Sequence, residues 1–257
     1  MEKQAARQKL SPPHRQSGNA LIYTLIVIVL LAILGVVLTR GASKSAGNLS
    51  DEQARMSAER IMRSAQSFEG GVQKLMQLNA CGENDLSFEN PSSSRPYTNA
   101  TAPTDKRCHM FNAAGAGLSY SKPDQTALDI SNAAKSDYGH WTFSSGQCVL
   151  EVGTGDAAPC TDAQVELMAV FPHISREVCL QINLLLGVTN PAGEPPQEDF
   201  DDGAVGFDGT FNAIAGDVEL GDTGTGTNLV GFKSGCLYDN AGVWSGSYVF
   251  YDALIER

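Results

Sequence analysis

The sequence predicts an α+β fold: an N-terminal transmembrane helix continuing into an amphipathic helix that packs on an antiparallel β-sheet head domain. Three observations lead to it. Residues 20–39, ALIYTLIVIVLLAILGVVLT, carry no charge. Farther on, Ile61, Ala65, Phe68, Val72 and Leu75 recur at the three- and four-residue spacing of one helical face. Beyond residue 140, short β-branched and aromatic runs alternate with turn-forming residues.

Residues 1–18 read as a basic cytoplasmic leader, with Lys3, Arg7, Lys9 and Arg15 against the single acid Glu2. The expected transmembrane helix covers 19–40. At about 1.5 Å per residue it spans roughly 30 Å, the hydrocarbon thickness of a bilayer. A cleaved secretory signal is the rival reading, but its apolar region is normally only about 7–15 residues long. Arg40, Lys44 and Arg55 follow the run, and the heavier basic flank before it favours a cytoplasmic N-terminus.

Residues 41–80 form the expected helical stalk. The small residues of 41–47 should interrupt or loosen the helix, and Ser50 with Gln53 matches a capping box. Gly70 and Gly71 should weaken or kink the apolar stripe.

The head, 81–257, reads as a disulfide-bonded α+β extracytoplasmic domain, periplasmic or extracellular. Residues 90–103 are rich in Pro, Ser, Asn and Thr and read as an exposed loop. Strands are expected at 140–143, 148–152, 165–171, 229–237 and 248–255, with a turn around Asn240, Ala241 and Gly242. Ser175 caps a short helix through Leu186, which Gly187 ends. Residues 190–228 hold many Gly, Pro and acidic residues and little continuous apolar sequence.

All six cysteines, Cys81, Cys108, Cys148, Cys160, Cys179 and Cys236, lie beyond the apolar run. An even number on that side indicates disulfides in an oxidising compartment. Many pairings are open to six cysteines, and sequential pairing (Cys81–Cys108, Cys148–Cys160, Cys179–Cys236) is the trial choice. No C-x-x-C pair or H-E-x-x-H motif is present, so no metal site is assigned.

The formal charge is −11; an acidic head repels phosphate backbones and excludes it as a nucleic-acid binder. Glu198, Asp199, Asp201 and Asp202, followed by Asp208, Asp217 and Asp222, offer hard oxygen ligands for Ca²⁺. They lack the EF-hand pattern and read more simply as a solvated acidic loop. Residues 221–228, GDTGTGTN, lack the Lys-Ser/Thr ending of a P-loop. His140 and His173 have no nucleophile partner that spacing reveals. No catalytic residue and no cofactor is assigned, and an enzyme is not expected. Trp141, Trp244, Tyr248, Phe250 and Tyr251 read as core or sheet-face residues.

Residues 15–23, RQSGNALIY, resemble the processing region of a type IV prepilin. That resemblance implies cutting between Gly18 and Asn19 by a prepilin peptidase, and methylation of the new terminus. It also implies assembly through Leu21, Ile22, Tyr23 and the following helix with other pilin-like subunits. Most pilins carry glutamate at the fifth mature position, where this chain has Tyr23. Tyrosine cannot offset a neighbour's terminal amine, and some minor pseudopilins at filament tips share the loss. The chain also resembles a group of alphaproteobacterial proteins without an established activity, through residues 81–90 (CGENDLSFEN), 108–111 (CHMF) and 178–183 (VCLQIN).

Two functional expectations follow. The first is a pilin-like or pseudopilin-like structural subunit, membrane-anchored and possessing a secretion, adhesion or DNA-uptake role. The second is a single-pass anchored periplasmic binding protein with no filament role.

Overall fold

The computed structural model describes residues 19–154, 160–201, 206–214, 219–222 and 224–257, and within the first helix the side chains of 22–32 and from residue 50 onward. Two compact units divide the chain, Met1–Ser50 and Asp51–Arg257. The first holds the start of α1, a 59-residue helix over Asn19–Gln77. Its end belongs to the second unit, the head.

In the head, α1 buries Ala54, Ala58, Ile61, Ala65, Phe68, Val72 and Leu75. The expected stripe is therefore a packing face, longer by two alanines than the sequence suggested. Gly71 lies within it because a Cβ there would stand 2.5 Å from the Met110 sulfur. The glycine gives Met110 its seat, and the helix continues through it unbroken.

Seven strands follow: β1 (Thr142–Ser144), β2 (Cys148–Val149), β3 (Leu167–Ile174), β4 (Gln197–Glu198), β5 (Glu219–Leu220), β6 (Ser234–Asp239) and β7 (Ser247–Ile255). Between β3 and β4 lies α2 (Arg176–Leu186). Five strands make one sheet in the order β1-β3-β7-β6-β4, while β2 and β5 pair separately. The β1–β3, β3–β7 and β6–β7 ladders are antiparallel, whereas β4–β6 and β2–β5 are parallel.

The sheet has a core on each face. Along β3, Leu167, Ala169 and Phe171 enter the core shared with α1 and α2, and Met168 and Val170 enter the other. This is the two-residue alternation of a pleated strand. Both faces are covered, so β3 reads as a continuous apolar run rather than an alternating one. Phe68 of α1 meets Trp141, Phe143 and Phe111 edge-on, at centroid distances of 5.2, 5.3 and 5.9 Å.

The local signals around α2 hold. The Ser175 side chain accepts from the Val178 N–H, and Gly187 closes the helix at φ 81°.

Four expectations are corrected. Among the described residues no helix is long and apolar enough to cross a membrane, so the transmembrane assignment of 19–40 is withdrawn. The sheet is mixed rather than antiparallel, because β4 joins β6 in parallel. Ser50 is no N-cap: α1 passes through 41–50 without a break, its backbone amides already paired one turn back. Residues 90–103 are not all exposed, since Arg95 and Tyr97 are buried; the Tyr97 hydroxyl accepts the Phe143 N–H at 3.1 Å.

Truncating Phe68 to alanine removes the ring that three aromatic neighbours close around. Phe68→Ala is expected to destabilise the head by about 3–5 kcal/mol. Urea unfolding checks it, and a wild-type midpoint would contradict this account of the core.

Candidate functional site

The first unit contributes the least satisfied surface. Ile22, Tyr23 and the large apolar side chains from Leu25 to Leu31 are all exposed, from 47% at Ile26 to 66% at Ile28. They occur at consecutive positions, so they circle the helix rather than form a stripe. A helix apolar all round needs apolar cover on every side. Exposed apolar area of this kind marks an interaction surface. Tyr23, at 64% exposure, offers a ring and a hydroxyl and no carboxylate. Gly18 lies outside the described residues, as do the side chains of Asn19 and Leu21.

In the head the structure pairs the cysteines as Cys81–Cys108, Cys148–Cys160 and Cys179–Cys236. Their Cα atoms stand 5.8, 6.5 and 5.4 Å apart, within the range a disulfide spans. The first clips the chain immediately after α1, the second closes a short loop after β2, and the third ties α2 to β6.

The acidic segment does not gather. Glu198 is buried, with its carboxylate against Gly226, where no Cβ would fit. Asp208 turns back on its own loop and accepts from the Thr210 N–H at 3.0 Å. Asp202 and Asp217 lie outside the described residues. Among the described residues no three His, Cys, Asp or Glu side chains are placed to hold a metal ion.

His173 is fully buried in a bulge of β3 at φ 63°. Its Nε2 lies 2.8 Å from the Ser136 carbonyl, which can only accept. Nδ1 is therefore the acceptor for the Ser247 hydroxyl at 2.9 Å. Burial holds its pKa below the ordinary value. The pair fastens residues 136 and 247 to the end of β3. His140 is likewise shifted down by burial. Trp141, Trp244, Phe250 and Tyr251 are buried as expected, and Tyr248 is half-buried.

Spacing does not disclose the buried polar groups. Arg95 donates to Asp137 through Nη2 at 2.7 Å and Nε at 3.0 Å, and its guanidinium lies 5.1 Å from the Trp244 ring centre. Ser94 and the Trp244 indole also donate to Asp137. Burial pushes the Asp137 carboxyl up, but the Arg95, Ser94 and Trp244 hydrogen bonds prevail and hold it below the usual range. Asp239 accepts from the backbone of Phe200, Ala241, Gly242 and Trp244 and so builds the β6–β7 turn.

Glu166, fully buried, accepts from the Val149 N–H through Oε2 at 3.0 Å, and Oε1 has no partner among the described residues. Burial, with Glu256 adding like charge, pushes its pKa from 4.5 up to about 8. The folded state keeps this proton longer than the unfolded chain. The resulting advantage is complete below about pH 4.5 and is lost as pH rises toward 8. Glu166→Gln removes the ionisation, so its unfolding free energy from urea titration should exceed wild type at pH 8, by on the order of 4 kcal/mol. The gap should close toward pH 4.5. A constant gap across that window would refute the assignment.

No family model matches this chain, and no curated protein or solved structure matches it either.

Proposed function

We propose that this chain is a pilin-like structural subunit that works outside the cytoplasm and assembles with other pilin-like subunits through the apolar start of α1. The observation that carries the reading is the exposed run over 22–31, joined by one continuous helix to a head closed by three disulfides. Helices of this composition cover their apolar area most simply by packing against one another. The disulfides suit an oxidising, exported location. No catalytic constellation enters the proposal; the head serves as the displayed part of the subunit. Tyr23 in place of an acid favours an accessory or terminal position, because no carboxylate is present there to receive a neighbour's amine.

The test is intact-mass and N-terminal peptide analysis of protein from its native cells, combined with cross-linking of wild type and Ile28→Asp. A processed, methylated Asn19 terminus and multimers that the substitution abolishes are expected, with the urea midpoint of the head unchanged. A chain that retains Met1 and stays monomeric would overturn the proposal.

A further inference from the structure

A second feature lies within the head and has no part in the assembly reading. Between α1, the end of α2 and strands β6 and β7 is a cavity of about 140 Å³. Its apolar walls come from Met62, Ala65, Leu186 and Phe250. Glu69, Lys233, Ser234 and Asp252 line it as well.

Asp252 decides its character. The residue is 5% exposed and shares the α1-facing side of β7 with Phe250 and Leu254. Oδ1 accepts from the Ser234 hydroxyl across the β6–β7 ladder. Oδ2 is buried and has no hydrogen-bond partner among the described residues. A buried acceptor left open this way costs free energy comparable to a lost hydrogen bond, so it calls for a donor.

The donor's chemistry follows from the surroundings. Lys233 is already engaged, 2.6 Å from Glu69 and 3.6 Å from Glu256. Glu69, Glu256 and Asp252 outnumber that one ammonium, which favours a cation over an anion. A metal ion is disfavoured, because no cluster of three suitable ligands forms among the described residues. The apolar walls suit a hydrocarbon stem, and the volume admits a fragment far smaller than the pockets of about 300 Å³ or more that hold whole cofactors.

We infer that this cavity binds a primary ammonium group on a short apolar stem, with Asp252 Oδ2 as its acceptor. Both a free alkylamine and a lysine side chain carry that chemistry. Burial pushes the Asp252 pKa up to about 6, with Glu69 and Glu256 adding to it while Ser234 and Lys233 oppose it. Occupancy therefore falls as acid neutralises the carboxyl.

The experiment titrates n-butylammonium into the full chain in detergent micelles, following melting temperature and binding heat. At pH 7.5 a saturable rise in melting temperature is expected. At pH 5 the affinity should be about tenfold lower, following the ionised fraction of Asp252. The neutral isostere n-butanol should produce no rise, and Asp252→Asn should abolish the response. Should that variant fail to fold, the wild-type comparison of pH values and of the two probes decides the matter alone. A matching response to N-acetyl-lysine methylamide would support the site and identify a lysine side chain as its occupant. A response to n-butylammonium only would support it with a free amine as occupant. No saturable binding, an equal effect of n-butanol, or unchanged affinity at pH 5 would overturn it.

Discussion

β3 leaves nothing to solvent on either face and its partner β7 leaves only Tyr248 part-exposed, and the head is organised around that constraint. All eight residues of β3 are buried, and its ladder with β7 runs from Leu167 opposite Ile255 to Ile174 opposite Tyr248. A sheet centre without a wet side needs two covers. α1 and α2 supply one through Phe68, Val72, Val178 and Ile182. The short strand β5, a 3-10 turn and irregular chain supply the other through Leu220, Leu229, Phe200 and Trp244. The second cover has little regular hydrogen bonding of its own. Side chains have to fix it, and this explains why Asp239 and the Arg95–Asp137 pair lie deep in the head.

Those buried charges work as fasteners. Asp239 gathers four backbone N–H groups and holds the β6–β7 turn against Phe200. Asp137 joins a loop carrying Ser94 and Arg95 to the indole of Trp244. A buried ion pair contributes less net stability than its contacts suggest, because both charges leave water. Losing one partner is costly, however, since the other is then left uncompensated. Glu166 and Asp252 are different: each retains an oxygen with no partner among the described residues.

Local physics was legible in the sequence wherever it acts within one turn or one strand. The Ile61-to-Leu75 stripe, the Ser175 cap and the Gly187 stop all depend on neighbours a few residues away, and all appear. Ser50 misled because a capping signal also suits a helix interior when the preceding residues stay helical. Gly70 and Gly71 misled because the reason for a glycine at 71 is Met110, far along the chain. The two-residue strands β4 and β5 take their pairing from partners some 40 and 71 residues away, so no window of sequence reveals them. For the same reason nothing in the sequence singles out Asp137, Glu166 or Asp252, while the exposed run at 22–31 stood out as uncharged composition.

The Cys81–Cys108 bridge has a mechanical consequence. Only three residues separate it from the end of α1. A pull on that helix is first resisted by the sliding contacts of Leu75, Val72 and Phe68 along the sheet. Should those yield, the load reaches a covalent clasp before it can unravel the chain beyond. The loop between Cys81 and Cys108 is thereby shielded from extension, and the next segment to bear tension begins past Cys108.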